Sequence, residues 1–277
     1  MIAKRLAIPF VIWVVIVLIL AFAYEMYGVG VWIIPPIIIL TAIYVFSPQI
    51  DWWWYKRNPP DLDPKLKQFL HRVSPFYRSL KPEGKDRFEK RVFFYLLGND
   101  FSGMNMEDGV PEDMKAAISI YPVTMTFNQE DFMMNPFERI VLYKHPFPSP
   151  NMRFLHACET NQEDGVILFS IEQLLQSQLN PSAFIDIGFY EYAHVYTYKF
   201  GDTLEDLGLK EADWEIVNQV QGLDKDNISK FTGFEEPSLL GSLTAVFFTN
   251  PINLKKLFPD MYSRLARYYN MDMLSHV

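Results

Sequence analysis

The chain has 277 residues, 25 Lys and Arg against 33 Asp and Glu, a formal net charge of -8, 49% hydrophobic and 16% aromatic residues. Only Lys4, Arg5 and Glu25 are charged within residues 1–50, which leaves 23 basic and 32 acidic residues, a balance of -9, on residues 51–277. An acidic body argues against nucleic acid as a direct partner, because phosphate binding usually needs a basic field, and a single cysteine, Cys158, excludes an internal disulfide framework.

Leu6–Tyr24 is 19 residues without a charge, and Met26–Ile50 is another 25. About 20 apolar residues cross a bilayer core, so both stretches qualify. Tyr24, Tyr27, Trp32, Trp52, Trp53, Trp54 and Tyr55 crowd the ends as an interfacial belt does. A cleaved signal peptide would need a small-x-small site, and none is clear. The reading is a two-helix transmembrane hairpin over residues 1–55, with spans near 6–24 and 30–50. One span followed by a re-entrant stretch broken at Pro35 and Pro36 is the alternative. Lys4 and Arg5 precede the first span, Lys56 and Arg57 follow the second, and the connection between the spans contains only Glu25. The positive-inside rule then places both ends, and the body, on the cytoplasmic side of an inner or cytoplasmic membrane.

The body occupies residues 56–277, entered through the stiff connector Pro59–Pro64. Helical spacing runs over Pro64–Val73 and Pro82–Gly98, with turns at Asn99–Gly103 and Asp108–Gly109. Pro111–Met125 reads as a helix that Pro122 should bend or end early. Arg139–Tyr143 and Gly165–Ser170 read as strands on either side of a Pro-rich loop, and Ser170–Gln178 as a turn or helix. Ser182–Phe200 is an aromatic-rich helix, followed by amphipathic pieces at Glu205–Leu209 and Ala212–Gln221. Pro237–Phe248 is an apolar helix with Pro first, and Leu254–Tyr269 closes the chain around Pro259. Helices outnumber strands, so the fold class is α+β with a small sheet. No glycine-rich phosphate loop and no internal repeat appears.

One stretch points to chemistry. In Tyr190-Glu191-Tyr192-Ala193-His194, helical spacing puts Tyr190 and His194 on one face with Glu191 beside them. A zincin uses this spacing as H-E-x-x-H, where two imidazoles hold zinc and the glutamate deprotonates the bound water. Here a phenol stands first, and its usual pKa near 10 makes it a poor ligand at neutral pH. By composition alone, His194 is a structural hydrogen-bonding residue. The remaining histidines, His71, His145, His156 and His276, lie far apart in the chain. Glu235-Glu236 reads as a helix start and Glu130-Asp131 as a solvated face.

The order of segments resembles the Mlc titration factor A family, zinc-dependent peptidases of the zincin type, whose similarity extends to the catalytic core of anthrax lethal factor. FLHRVSPFYRSLKPEGKDRFEKRVFFYLLGNDFSG (Phe69–Gly103) is similar to the family's N-terminal helices, and RIVLY and GVILFS to the strands before the metal helix. FIDIGFYEYAHVYTYKF (Phe184–Phe200) stands where the family has H-E-F-A-H. PSLLGSLTAVFFTNP and LFPDMYSRLARYYNMD stand where it has E-F-F-A-V-x-S-E-x-F-F-x-x-P and its C-terminal helix. The resemblance covers roughly residues 64–272 and implies a mostly helical zincin-like body with a small β-sheet.

Carried over by position, the resemblance implies a degenerate metal site. The first zinc histidine falls on Tyr190, the general-base glutamate on Glu191, the second histidine on His194 and the third ligand, a glutamate, on Ser238. The later glutamate of that helix falls on Ala245, and the active-site tyrosine near Phe231. Two of three ligands are replaced, so no cofactor is expected. The expectation is a membrane-anchored, catalytically silent relative acting by protein or peptide binding. The family offers precedent in a member that sequesters a transcriptional repressor. Two alternatives stand: an active zinc metallopeptidase with a rebuilt site completed by Glu235 or Glu236, and a membrane-assembly subunit unrelated to peptidases.

Overall fold

The computed structural model describes residues 2–23, 27–201 and 207–275. Tyr24, Glu25, the start of the 205–209 piece and His276 therefore lie outside the described residues. The chain divides into two compact units, Met1–Asp61 and Leu62–Val277.

The first unit contains α1 (Ile2–Ala23), a 3-10 helix (Tyr27–Ile33), α2 (Ile34–Val45) and α3 (Ser47–Arg57). Ile2–Ala23, with 22 residues, and Gly28–Val45, with 18, are long and apolar enough to cross a membrane, which points to a membrane association. Leu6, Ile8, Val11, Ile12, Ile16 and Ile19 turn their side chains outward along α1. Pro35 lies in the first turn of α2, where its missing amide hydrogen breaks no helical bond. The second apolar stretch is not one helix to residue 50: it opens as a 3-10 helix and breaks at Phe46, and α3 runs on past residue 55. The buried Asp51 carboxylate accepts the Ala3 amide hydrogen at 2.9 Å, so the start of α1 is tied to α3.

The second unit is mostly helical around a four-stranded sheet. Its elements are α4 (Pro64–Val73), α5 (Pro75–Ser79), α6 (Pro82–Gly98), β1 (Asp100–Gly103), α7 (Glu112–Met125), β2 (Arg139–Tyr143), β3 (Cys158–Asn161) and β4 (Val166–Ser170). Then follow α8 (Ile171–Leu179), α9 (Ile187–Phe200), a 3-10 turn (Glu211–Asp213), α10 (Trp214–Gln221), α11 (Lys225–Thr232), α12 (Leu239–Thr249), α13 (Pro251–Leu257) and α14 (Pro259–Tyr268). The strand order is β1-β2-β4-β3. β1 and β4 pair parallel to β2, and β3 closes one edge antiparallel to β4.

Several boundaries correct the sequence expectation. Asn99–Gly103 contains a strand rather than a turn, because β1 pairs with β2 along Asp100–Gly103. Pro122 does not end α7: its surroundings Ile118, Tyr121, Val123 and Met125 are all buried, and that burial outweighs a helical hydrogen bond lost to the proline ring. The aromatic helix begins at Ile187, not Ser182, since Asp186 caps it by accepting from the Gly188 and Phe189 amides at 2.9 and 3.2 Å. In α12 the cap is Ser238, and Pro237 lies outside the helix. Leu254–Tyr269 is two helices, with a break at Phe258 before Pro259.

α9 is the centre of this unit. It packs against α7, α8, α12 and β3. Glycine permits two of these approaches. A Cβ on Gly188 would fall 2.1 Å from the Tyr121 ring of α7, and one on Gly241 would fall 2.8 Å from the Tyr190 ring. Tyr190, Tyr192 and Tyr196 are buried side chains of α9, joined by Phe169, Phe247 and Tyr269 in a continuous aromatic core.

Candidate functional site

A cleft of about 460 Å³ opens along α9, between edge strand β3 and the start of α12. Its floor and walls include Glu159, Thr160, Tyr190, Glu191, His194, Phe234, Glu236, Ser238 and Leu240. The fold thus gathers Tyr190, Glu191, His194 and Ser238, the positions singled out on sequence, in one depression. Phe231, Glu235 and Ala245 do not line it. Phe231 stacks on Phe184, with ring centroids 4.5 Å apart; Glu235 is exposed, and Ala245 is buried in α12.

Tyr190 lines the cleft with its ring and directs its hydroxyl to the start of α12. Its phenol oxygen accepts the Ser238 amide hydrogen at 2.6 Å, which satisfies one of the free amides at the start of that helix. The ring lies edge-on to His194 at 5.7 Å between centroids. Burial pushes the phenol well above its usual pKa, so it stays protonated. The Ser238 hydroxyl is committed as well, accepting from the Gly241 amide at 3.0 Å.

Glu191 is buried and points to β3. It accepts from the Thr160 hydroxyl at 2.5 Å, and its other oxygen lies 3.6 Å from His194 Nδ1. Burial alone would raise its pKa. The nearby His194 imidazole, with the Thr160 hydroxyl and the Cys158 thiol, outweighs that and holds it below the usual carboxylate value. Burial likewise opposes a charge on His194, and Glu191 reverses the balance, raising the imidazole above its usual value. The Cys158 thiol is pushed well up by burial and then by the Glu191 charge, so it remains an S–H donor.

Sequence reading missed the wall formed by β3. Cys158 and Thr160, two apart, share the face of that strand toward Glu191, a pattern visible in C-E-T-N only once the strand is recognised. It also set His156 aside as isolated in the chain and did not single out Glu159. Both are buried, with His156 Nδ1 2.9 Å from the Phe154 carbonyl oxygen and Nε2 3.1 Å from a Glu159 oxygen. A carbonyl only accepts, so Nδ1 carries a hydrogen, and the second contact is a hydrogen bond only when a proton lies between imidazole and carboxylate.

These residues do not fit a zincin metal. Tyr190 and Ser238 are bonded into the α9–α12 contact. Glu236 reaches the rim, but its carboxylate pairs with Lys225 at 2.8 Å in the solvent. Among the described residues no group of three or more His, Cys, Asp or Glu side chains is placed to hold a metal ion. No protein-family model matches the chain, and no curated protein matches it.

Proposed function

We propose that this is a membrane-anchored, catalytically silent relative of zincin-type peptidases that acts by binding a peptide or protein segment in the α9 cleft. The observation that carries this reading is the Tyr190–Ser238 hydrogen bond: the two positions where the family would place ligands are tied to each other by helix-end chemistry. Glu191 keeps the position of a general base. With its oxygens engaged by Thr160 and His194, it serves to join α9 to β3. The cleft is polar along β3 and aromatic at Phe234 and Tyr198, a mixed lining suited to an extended segment.

The hairpin would cross an inner or cytoplasmic membrane twice, with the body facing the cytoplasm. One observation supports this. The Ala3–Asp51 bond brings the start of α1 to α3, so both basic pairs lie toward one end. That end then carries the positive-inside charge.

The test is a peptide-display selection on the full chain in detergent. Binding peptides should enrich on the native chain and on Glu191→Gln, and should be lost on Leu240→Lys, which puts a long cation on the cleft wall. Zinc-dependent cleavage of a selected peptide, abolished by Glu191→Gln, would contradict the reading and favour a working peptidase.

A further inference from the structure

We infer that the end of the first unit carrying Lys4, Arg5, Lys56 and Arg57 binds the phosphate of an anionic phospholipid headgroup. This rests on the reading that the unit lies in a bilayer. The two basic pairs are about fifty positions apart in sequence, yet the fold joins them. Asp51 of α3 holds the Ala3 amide at 2.9 Å, and α1 packs on α3. Lys4 and Arg5 follow Ala3 directly. Lys56 and Arg57 lie less than two turns beyond Asp51, about 9 Å along the helix at 1.5 Å per residue.

All four side chains are exposed, and none is in an ion pair among the described residues. Asp51, the nearby acid on α3, is buried and directed to the Ala3 amide; Asp61, exposed, comes four positions after Arg57. The Arg57 guanidinium lies over the Trp53 ring, 4.0 Å from its centroid. Tryptophan settles at headgroup depth, so this contact sets Arg57 at the level of lipid phosphates. Exposed Leu6, one residue past Arg5, supplies apolar surface for an acyl chain, which free phosphate lacks.

The experiment titrates the full chain in detergent with phosphatidylglycerol or phosphatidylcholine and counts bound lipid per chain by native mass spectrometry. Phosphatidylglycerol should be held at least about tenfold more tightly, since each basic residue near an anionic headgroup adds measurably to binding. The preference should persist in excess inorganic phosphate and in the charge-preserving variant Lys4→Arg/Arg5→Lys/Lys56→Arg/Arg57→Lys. It should vanish in Lys4→Gln/Arg5→Gln/Lys56→Gln/Arg57→Gln. Equal retention of the two lipids, a preference that survives neutralisation, or one abolished by free phosphate overturns the inference. Failure of the membrane reading is seen separately, as release of the chain from membranes by alkaline carbonate.

Discussion

The Tyr190 hydroxyl and the Ser238 amide, 48 positions apart, meet at 2.6 Å and pin α9 to the first turn of α12. Both side chains are thereby used structurally. The phenol fills a helix-end acceptor role, and the serine hydroxyl caps its own helix. Replacing Tyr190→Phe leaves the half-buried Ser238 amide without its acceptor, an expected cost of about 1 kcal/mol. Thermal denaturation of the two chains measures it. An unchanged melting temperature would mean that the bond contributes nothing to the α9–α12 junction.

Gly241 should be as sensitive as Tyr190, for a steric reason. A Cβ there meets Tyr190 Cδ2 at 2.8 Å and the Tyr190 carbonyl oxygen at 2.9 Å, and the second neighbour is backbone. Gly241→Ala must push α12 away from α9, a strain on the order of 1–3 kcal/mol. The same substitution combined with Tyr190→Phe should cost less than the two single losses added, because both act on one contact. Strict additivity in a double-mutant cycle would contradict the shared junction.

The Glu191–His194 pair predicts a pH window. Glu191 is lowered from 4.5, so its contribution is present above 4.5 and is lost as pH falls through the lower folded value. His194 is raised from 6.5, so its contribution is complete below 6.5 and is lost as pH rises through the higher folded value. Both are in force between 4.5 and 6.5. The melting-temperature gap between the native chain and His194→Gln should be widest in that window and narrow toward alkaline pH. A gap independent of pH would show that His194 acts by packing alone.

Asp186 offers a separate check on α9. Asp186→Ala removes the acceptor for two first-turn amides and should destabilise by about 1 kcal/mol. Asp186→Asn keeps an acceptor oxygen and removes a carboxylate whose pKa burial raises to about 6, so it should lose less at neutral pH. Equal losses would assign the effect to charge rather than to capping.

The helices that announced themselves in sequence did so by chemistry local to their own residues. Pro64 and Pro82 open α4 and α6 where expected, because proline needs no amide partner in a first turn. The β1 and β3 segments, D-F-S-G and C-E-T-N, carry no run of β-branched residues, and they become strands through partners on β2 and β4. The candidate site divides in the same way. Tyr190, Glu191 and His194 share a helix face and were legible from spacing. Cys158, Thr160 and the His156–Glu159 pair depend on where an unrecognised edge strand lies. The Tyr190–Ser238 bond was out of reach, since the alignment of replaced ligands says nothing about which way a phenol turns.

Zinc content tests the silent-site reading most directly. The full chain is purified in detergent with zinc supplied, dialysed to remove loosely held metal, and measured by plasma mass spectrometry beside His194→Ala. The prediction is near-zero zinc in both proteins, since Tyr190 and Ser238 are held in the helix junction and Glu236 pairs with Lys225. About one zinc per chain, absent from His194→Ala, would contradict it and make peptide hydrolysis the next measurement.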